Sequence, residues 1–160
     1  MMIETLMTTD VWCCRPEDSL EVPAAIMWES DCGCVPVVDS ERRVVGIVTD
    51  RDMAMAAFLE GKPLHELIVG RVMSKSVITC IATASVEHAE QLMQLAQVRR
   101  LPIVDATAAI IGILSLNDIA LAAERDRKAQ DPALKLDSVA LTLSAVCHPR
   151  MSVPMPVSAE

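Results

Sequence analysis

The sequence is poor in aromatic residues and has no long apolar run, and each absence excludes a class of protein. Among 160 residues there is no Tyr, one Phe and two Trp. No apolar run reaches the roughly 18 residues that a membrane-spanning helix requires. The N-terminal residues lack the basic-then-apolar pattern of a secretory signal. We therefore expect no membrane partner, and a core built from aliphatic side chains.

Basic charge is scarce as well. Lys and Arg number 14 against 22 Asp and Glu, and the formal net charge is −8. Nucleic-acid binding needs clustered Lys and Arg to neutralise phosphates. The Arg pairs at 42–43 and 99–100 are local exceptions. We expect no nucleic-acid partner.

The six Cys and three His do not follow the spacing of a metal or disulfide site. The cysteines lie in apolar stretches, which is typical of buried free thiols in a protein of the reducing cytoplasm. There is no activated nucleophile or catalytic carboxylate pair, so the sequence predicts no metal, no catalytic residue and no enzyme. A metal- or redox-responsive regulator that uses Cys13, Cys14, Cys32 and Cys34 remains an open alternative.

What the sequence does contain is an internal repeat. A shift of 66 positions aligns residues 7–57 with 73–123 without a gap, and fifteen of the aligned pairs are identical. They include Met7/Met73, Pro36/Pro102, Gly46/Gly112 and Asp52/Asp118. A period this long indicates two copies of one supersecondary unit. Two such copies commonly pack about a pseudo-twofold axis, which creates two related clefts.

Each copy has the pattern of a β-α-β-β-α unit. Short opening strands are predicted at 11–14 and 77–80, each followed by a helix whose N-cap is Ser19 or Ser85. A hairpin and a last helix complete the unit. The hairpin strands are predicted at 35–39 and 44–48 and, in the second copy, at 101–105 and 110–114. The last helices begin at Asp50 and Leu116, and Gly61 ends the first of them.

The fold class is therefore α/β (α+β), with two repeats about a pseudo-twofold axis and a short C-terminal helix. The predicted boundaries are 1–62 for repeat one, 63–128 for repeat two and 129–160 for a C-terminal extension. That extension holds a helix at about 137–147, followed by a disordered tail. A helix this short is marginal in water, so we expect it to dock on its own body or on a second subunit.

A hydroxyl-x-x-Asp motif stands where each hairpin meets its last helix, as Thr49–Asp52 and Ser115–Asp118. One interpretation is a capping box, in which hydroxyl and carboxylate satisfy free backbone N–H groups. The other is a nucleotide site, because a helix N-terminus favours phosphate and a carboxylate can accept ribose hydroxyls. The pattern alone leaves both open.

These residues resemble those of a CBS domain, and the two copies resemble a tandem CBS pair (Bateman module), as found in stand-alone bacterial CBS proteins. The motifs that carry the resemblance are Gly46–Asp52 and Gly112–Asp118, with Val35–Asp39 and Leu101–Asp105 before them. The resemblance implies a non-catalytic regulatory sensor that binds an adenosine-containing ligand. AMP, ADP or ATP is favoured, with S-adenosylmethionine as a further candidate. It also implies a homodimer of CBS pairs that signals to a regulated protein partner in trans.

Carried over by motif, the resemblance implies two ligand-binding clefts. The first would use Ile47, Thr49, Asp52, Ile78, Arg99 and Arg100, and the second Trp12, Gly33, Cys34, Ile113, Ser115 and Asp118. Gly33 and Cys34 stand where the first cleft has its two arginines. We therefore expect an anionic nucleotide in the first cleft. The second is expected to be empty or to hold a less charged ligand stacked on Trp12.

A protein-interaction or dimerisation module whose clefts bind nothing is the main alternative. In that case the hydroxyl-x-x-Asp motifs act as helix caps and nothing more. In the interpretation as a sensor, the apolar stretches at 53–57 and 119–123 suit packing between the subunits of the dimer, and the C-terminal helix is interpreted as a further dimer or partner element.

Overall fold

A computed structural model describes residues 1–127 and 133–149, and it contains both predicted hairpins. Repeat one comprises α1 (Glu21–Glu29), β1 (Cys34–Val38), β2 (Val44–Thr49) and α2 (Asp50–Glu60). A one-turn helix, α3 (Val69–Val72), lies between the repeats. Repeat two comprises β3 (Cys80–Ile81), α4 (Val86–Ala96), β4 (Arg100–Val104), β5 (Ile110–Ser115) and α5 (Leu116–Asp126). The C-terminal helix is α6 (Leu136–Cys147). The α/β fold class and the tandem arrangement are confirmed.

The two hairpins share one register and one turn. Pro36 pairs with Ile47 in the first, and Pro102 pairs with Ile113 in the second. At the first turn, the Asp39 carboxylate accepts hydrogen bonds from the side chain and backbone of Arg43, which lower the pKa of this carboxyl. At the second turn, Ala109 N makes the equivalent backbone bond to Asp105 Oδ1, and hydrogen bonds from Thr107 lower the pKa of this carboxyl as well. The identical Asp at both positions is therefore a turn residue.

The opening strands are shorter than predicted. Repeat two forms β3, parallel to β4, whereas repeat one forms a single bridge between Cys14 and Val37. Around that bridge, Cys14 N donates to Pro36 O and Val38 N donates to Cys14 O. The next donor of a parallel ladder would be residue 16, which is a proline without an N–H. Ala82 stands at the equivalent position of repeat two.

The predicted N-cap is correct in repeat two and wrong in repeat one. Ser85 caps α4, and its Oγ accepts from His88 N at 3.2 Å. Ser19 does not cap α1, whose N-cap is Leu20 without a side-chain bond. The first α-type bond to Ser19 O would come from residue 23, which is Pro. Val22 N makes a tighter turn to that oxygen instead, at 3.1 Å.

The two repeats exchange their leading segments. The segment before repeat one (residues 3–8) packs on repeat two, and the segment before repeat two (residues 67–74) packs on repeat one. Ile3 is buried in the core of repeat two, while Leu67 and Val69 are buried in the core of repeat one. Thr8 pairs with Ile113 on β5. This exchange ties the two repeats together and could not be read from the order of the elements.

The exchanged segments explain two of the identical pairs. A Cβ added to Gly112 would lie 2.7 Å from Met7 Sδ and 3.1 Å from Thr8 O. A Cβ on Gly46 would collide with Met73 Sδ in the same way. Glycine is therefore favoured at these positions of β2 and β5, because a methionine of the incoming segment crosses each strand closely.

Helix α6 docks on its own chain, against α4 and α5. Thr142 and Val146 are buried in this contact, and Gln94 Nε2 donates to Thr142 Oγ1 at 2.8 Å. Ser138 Oγ donates to Glu90 Oε2 at 2.7 Å. The predicted tail at 151–160 and the predicted boundary at 128–129 lie outside the described residues.

Candidate ligand-binding clefts

A cleft of about 850 Å³ lies between the β2–α2 junction of repeat one and a wall formed by residues 76–78 and β4 of repeat two. Its volume is in the range of small-molecule sites. The structure brings all six residues predicted for the first cleft to its walls: Ile47, Thr49, Asp52, Ile78, Arg99 and Arg100.

Backbone hydrogen bonds between β2 and Ser74 place these side chains. Ile47 N donates to Ser74 O at 3.0 Å, and Ser74 N donates back to Ile47 O at 2.9 Å. The chain that leaves Ser74 forms the opposite wall through 76–78. Because the exchanged segment is fastened to β2, Ile78 of repeat two faces the Thr49–Asp52 motif of repeat one.

Thr49 and Asp52 form a complete capping box at the start of α2. Asp52 N donates to Thr49 Oγ1 at 3.2 Å, and Thr49 N donates to Asp52 Oδ2 at 2.9 Å. The Thr49 hydroxyl also donates to Oδ2, at 2.7 Å. Both bonds that the carboxylate accepts use Oδ2, and among the described residues none uses Oδ1. One oxygen of the carboxylate serves the cap, and the other remains for a ligand hydroxyl.

The two arginines have different surroundings. Arg99 is exposed, and its Nη2 lies 3.7 Å from Cys147 Sγ on α6. Arg100 is half-buried and lines both this cleft and the second one. A Cβ on Gly33 would lie 3.8 Å from Arg100 Nη2 and 3.3 Å from Asp50 Oδ2. A side chain at position 33 would therefore press on the Asp50 carboxylate and only touch the guanidinium.

The second cleft is smaller, about 430 Å³, and more acidic. Five of its six predicted residues line it, namely Trp12, Cys34, Ile113, Ser115 and Asp118. Gly33 lines the first cleft instead, and Cys34 lines both. Ser115 and Asp118 repeat the capping box of the first cleft, with Ser115 N donating to Asp118 Oδ2 at 2.8 Å.

Sequence reasoning missed residues in both clefts. Asp10 and Asp31 line the second cleft, and their repeat counterparts Ser76 and Gln97, which were not predicted either, line the first. His148 lines the first cleft from the C-terminal extension. No repeat position corresponds to it, so only the docking of α6 brings it there.

Two of the cysteines of repeat one, Cys14 and Cys34, are buried, and burial favours the protonated thiol. Burial raises the pKa of Cys14 to about 12 and that of Cys34 to about 11, the latter against an opposing effect of Arg100. Cys32 Sγ donates to Cys34 O at 3.4 Å. Across residues 1–127 and 133–149, no group of three or more His, Cys, Asp or Glu is placed to hold a metal ion.

With two repeats, two capped helices and two clefts in place, the class of protein follows from comparison with known families. The CBS domain model matches residues 3–58 and 69–125. The chain belongs to the CBS domain family and is a tandem CBS pair, a regulatory module.

Two curated relatives match most of the chain. The CBS domain-containing protein YhcV of Bacillus subtilis is 34% identical over 119 residues, which are 74% of this chain and 83% of that protein. Hypoxic response protein 1 of Mycobacterium tuberculosis is 29% identical over 115 residues, or 72% and 80% of the two chains. A crystal structure of the hypoxic response protein, with two coordinated zinc ions, gives a TM-score of 0.69 at 26% identity and covers 76% of this chain and 98% of that one.

A further solved structure carries a nucleotide. CBSX2 in complex with AMP gives a TM-score of 0.69 at 27% identity, and covers 79% of this chain and 98% of that one.

Within the described part of the present chain, no helix is both long and apolar enough to cross a bilayer.

Proposed function

We propose that this CBS pair is a sensor that binds an adenine nucleotide, AMP, ADP or ATP, in the first cleft and signals its occupancy to a protein partner. The observation that carries the proposal is the set of groups on the walls of that cleft. A capped helix N-terminus with a free carboxylate oxygen comes from one repeat, and two guanidinium groups come from the other. The AMP complex of the similar CBSX2 structure supports the same ligand class.

The charges on the two clefts assign the ligand to one of them. Arg51, Arg99, Arg100 and His148 line the first cleft with two carboxylates, Asp50 and Asp52. Three carboxylates, Asp10, Asp31 and Asp118, line the second with Arg100. Phosphates favour guanidinium groups and disfavour nearby carboxylates, so the anionic ligand takes the first cleft.

The second cleft suits a ligand with less negative charge. Trp12, 62% exposed, presents its indole to solvent beside Asp118. An adenosyl group without phosphates, as in S-adenosylmethionine, would stack there and present its hydroxyls to the carboxylate. The cation-poor wall makes this cleft a weak site for AMP.

The mechanism is a population shift. A ligand held by both repeats binds best when they are close together, so occupancy favours the closed arrangement. We place this sensor in the cytoplasm, where the six free thiols of the structure are stable. The regulated partner acts in trans.

A homodimer is part of the proposal, but its surface differs from the sequence expectation. Ile119 and Ala123 of α5 are fully buried inside repeat two, and α6 packs on the same helix. Repeat one leaves its helices open, with Trp28 89% and Phe58 78% exposed. Exposed aromatic side chains of this size mark an interaction surface. We therefore assign the dimer contact to α1 and α2.

The test is calorimetric titration of AMP, ADP and ATP into the wild-type protein, Asp52→Ala and Asp118→Ala. The two substitutions remove equivalent capping boxes, so each should lower the free energy of unfolding by about 1 kcal/mol. Asp52→Ala should in addition weaken nucleotide binding at least tenfold, and Asp118→Ala should leave it unchanged.

Two results would contradict the proposal. Equal loss of binding in both variants would mean that affinity follows stability and not the first cleft. No binding to the wild-type protein at millimolar nucleotide would favour the interaction module, with both motifs acting as caps.

A further inference from the structure

The end of α6 forms a third wall of the first cleft. Val146, His148 and Pro149 line it together with the Thr49–Asp52 motif of repeat one and Arg99 of repeat two. No residue from the described part of the C-terminal extension lines the second cleft. The two clefts therefore differ in architecture as well as in charge.

Hydrogen bonds from α4 and the residue after it hold α6 in this position. Gln97 follows α4 in a left-handed conformation, with φ 52°, and its Nε2 donates to Ala145 O at 3.3 Å and to His148 O at 3.2 Å. The bonds from Gln94 to Thr142 and from Ser138 to Glu90 fix the preceding turns. The last turn of the helix is thus anchored at the cleft itself.

With α6 anchored in this way, His148 lines the same cleft as Arg99, the arginine expected to face the phosphates. Arg99 Nη2 contacts Cys147, the residue immediately before His148. An imidazole carries at least one N–H donor in every protonation state. A phosphate between Arg99 and His148 would accept from both side chains.

We propose that His148 contacts the phosphate end of the nucleotide, so that the C-terminal extension belongs to the binding site. This inference rests on the proposed function of the first cleft. Binding coupling is reciprocal: if docked α6 increases nucleotide affinity, the nucleotide stabilises the docked α6 by the same factor. The extension then carries the signal of occupancy away from the cleft.

The experiment compares AMP with adenosine in the full-length wild-type protein, His148→Ala and the control His88→Ala. His88 is exposed on the first turn of α4 and lines neither cleft. His148→Ala should weaken AMP binding by about threefold to tenfold, the effect of one hydrogen bond. Adenosine binding should stay the same, because adenosine has no phosphate. His88→Ala should change neither affinity.

Hydrogen exchange supplies the second readout. AMP should slow amide exchange in α6 of the wild-type protein, and adenosine should slow it less. If saturating AMP leaves amide exchange in α6 unchanged, nucleotide binding is not coupled to the docking of α6, and this part of the proposal is wrong.

The outcomes separate this inference from the proposed function. If the wild-type protein binds AMP and Asp52→Ala abolishes binding, but His148→Ala binds normally, the role of His148 is wrong and the sensor stands. An equal loss of AMP and adenosine in His148→Ala would assign His148 to the wall and not to the phosphate. If no nucleotide binds the wild-type protein, both proposals fall together.

Discussion

At the residue scale, burial decides what the cysteines can do. Cys14 and Cys34 have 2% and 5% of their surface exposed, and an apolar environment disfavours the charged thiolate. Desolvation is the largest cause of the raised pKa at both positions. A protonated thiol is a poor metal ligand and a poor nucleophile, so the regulator based on these cysteines has little chemical support.

The raised pKa of Cys14 predicts a loss of stability at alkaline pH. An unfolded thiol ionises near pH 9, while the folded one does so near 12. Deprotonation therefore stabilises the unfolded state first. The stability that the protonated Cys14 contributes to the folded state is complete below pH 9 and is lost as the pH rises towards 12. Between pH 9 and 11, the free energy of unfolding should fall more steeply in the wild-type protein than in Cys14→Ala, by up to about 1.4 kcal/mol per pH unit.

Urea unfolding under reducing conditions measures both slopes. Comparison with the Cys14→Ala variant removes the contribution of the lysines and other groups, because these titrate in both proteins. Parallel stability curves would show that the Cys14 thiol ionises equally in the folded and unfolded states.

At the scale of single elements, the repeat offers an internal comparison. α1 and α4 occupy equivalent positions, and a serine precedes each of them. Pro23 in α1 removes the N–H that would bond to Ser19 O, whereas Ala89 N donates to Ser85 O at 3.2 Å. The same residue type is therefore a cap in one copy and not in the other.

Alanine substitution should separate the two serines. Ser85→Ala should lower the free energy of unfolding by about 1 kcal/mol, because His88 N loses its side-chain acceptor. Ser19→Ala should change it much less, since no capping bond is present. Urea denaturation of both variants checks the difference, and equal effects would mean that Ser19 caps α1 in solution.

At the scale of the whole molecule, α6 breaks the symmetry of the repeats. It covers α4 and α5, and Gln94 bonds to it. The repeat-equivalent residue of Gln94 is Trp28, which remains exposed on α1, as Phe58 does on α2. The surface that receives a helix in repeat two is open in repeat one, and there a second subunit can take the place of α6.

We therefore expect Phe58→Glu to convert a dimer into a monomer, because a buried carboxylate without a partner would oppose association. Leu141→Glu is the matched control: Leu141 is 69% exposed on the outer face of α6, away from α1 and α2. Sedimentation velocity measures the mass of each. A monomeric wild-type protein, or a Phe58→Glu variant that stays dimeric, would contradict this assignment.

Four features were predictable from the sequence, because each depends on local patterns that recur at a fixed spacing. They are the repeat, the hairpins, the termination of α2 at Gly61 and the family. Pro36, Asp39 and Gly46 recur with the same neighbours in repeat two. Six residues of the first cleft were also named from the sequence, since motif positions in a known fold carry over. The opening strand and first cap of repeat one were not, because Pro16 and Pro23 alter bonds that depend on partners elsewhere in the chain.

Only the tertiary structure decided where the exchanged segments and α6 lie. Ile3 enters the core of repeat two, and Arg100 reaches both clefts. His148 arrives at the first cleft from outside either repeat. These placements depend on contacts between residues far apart in the chain, which no local pattern encodes. The repeated motifs predict the two units and the difference in charge between their clefts, whereas packing places α6 and His148 at the first cleft.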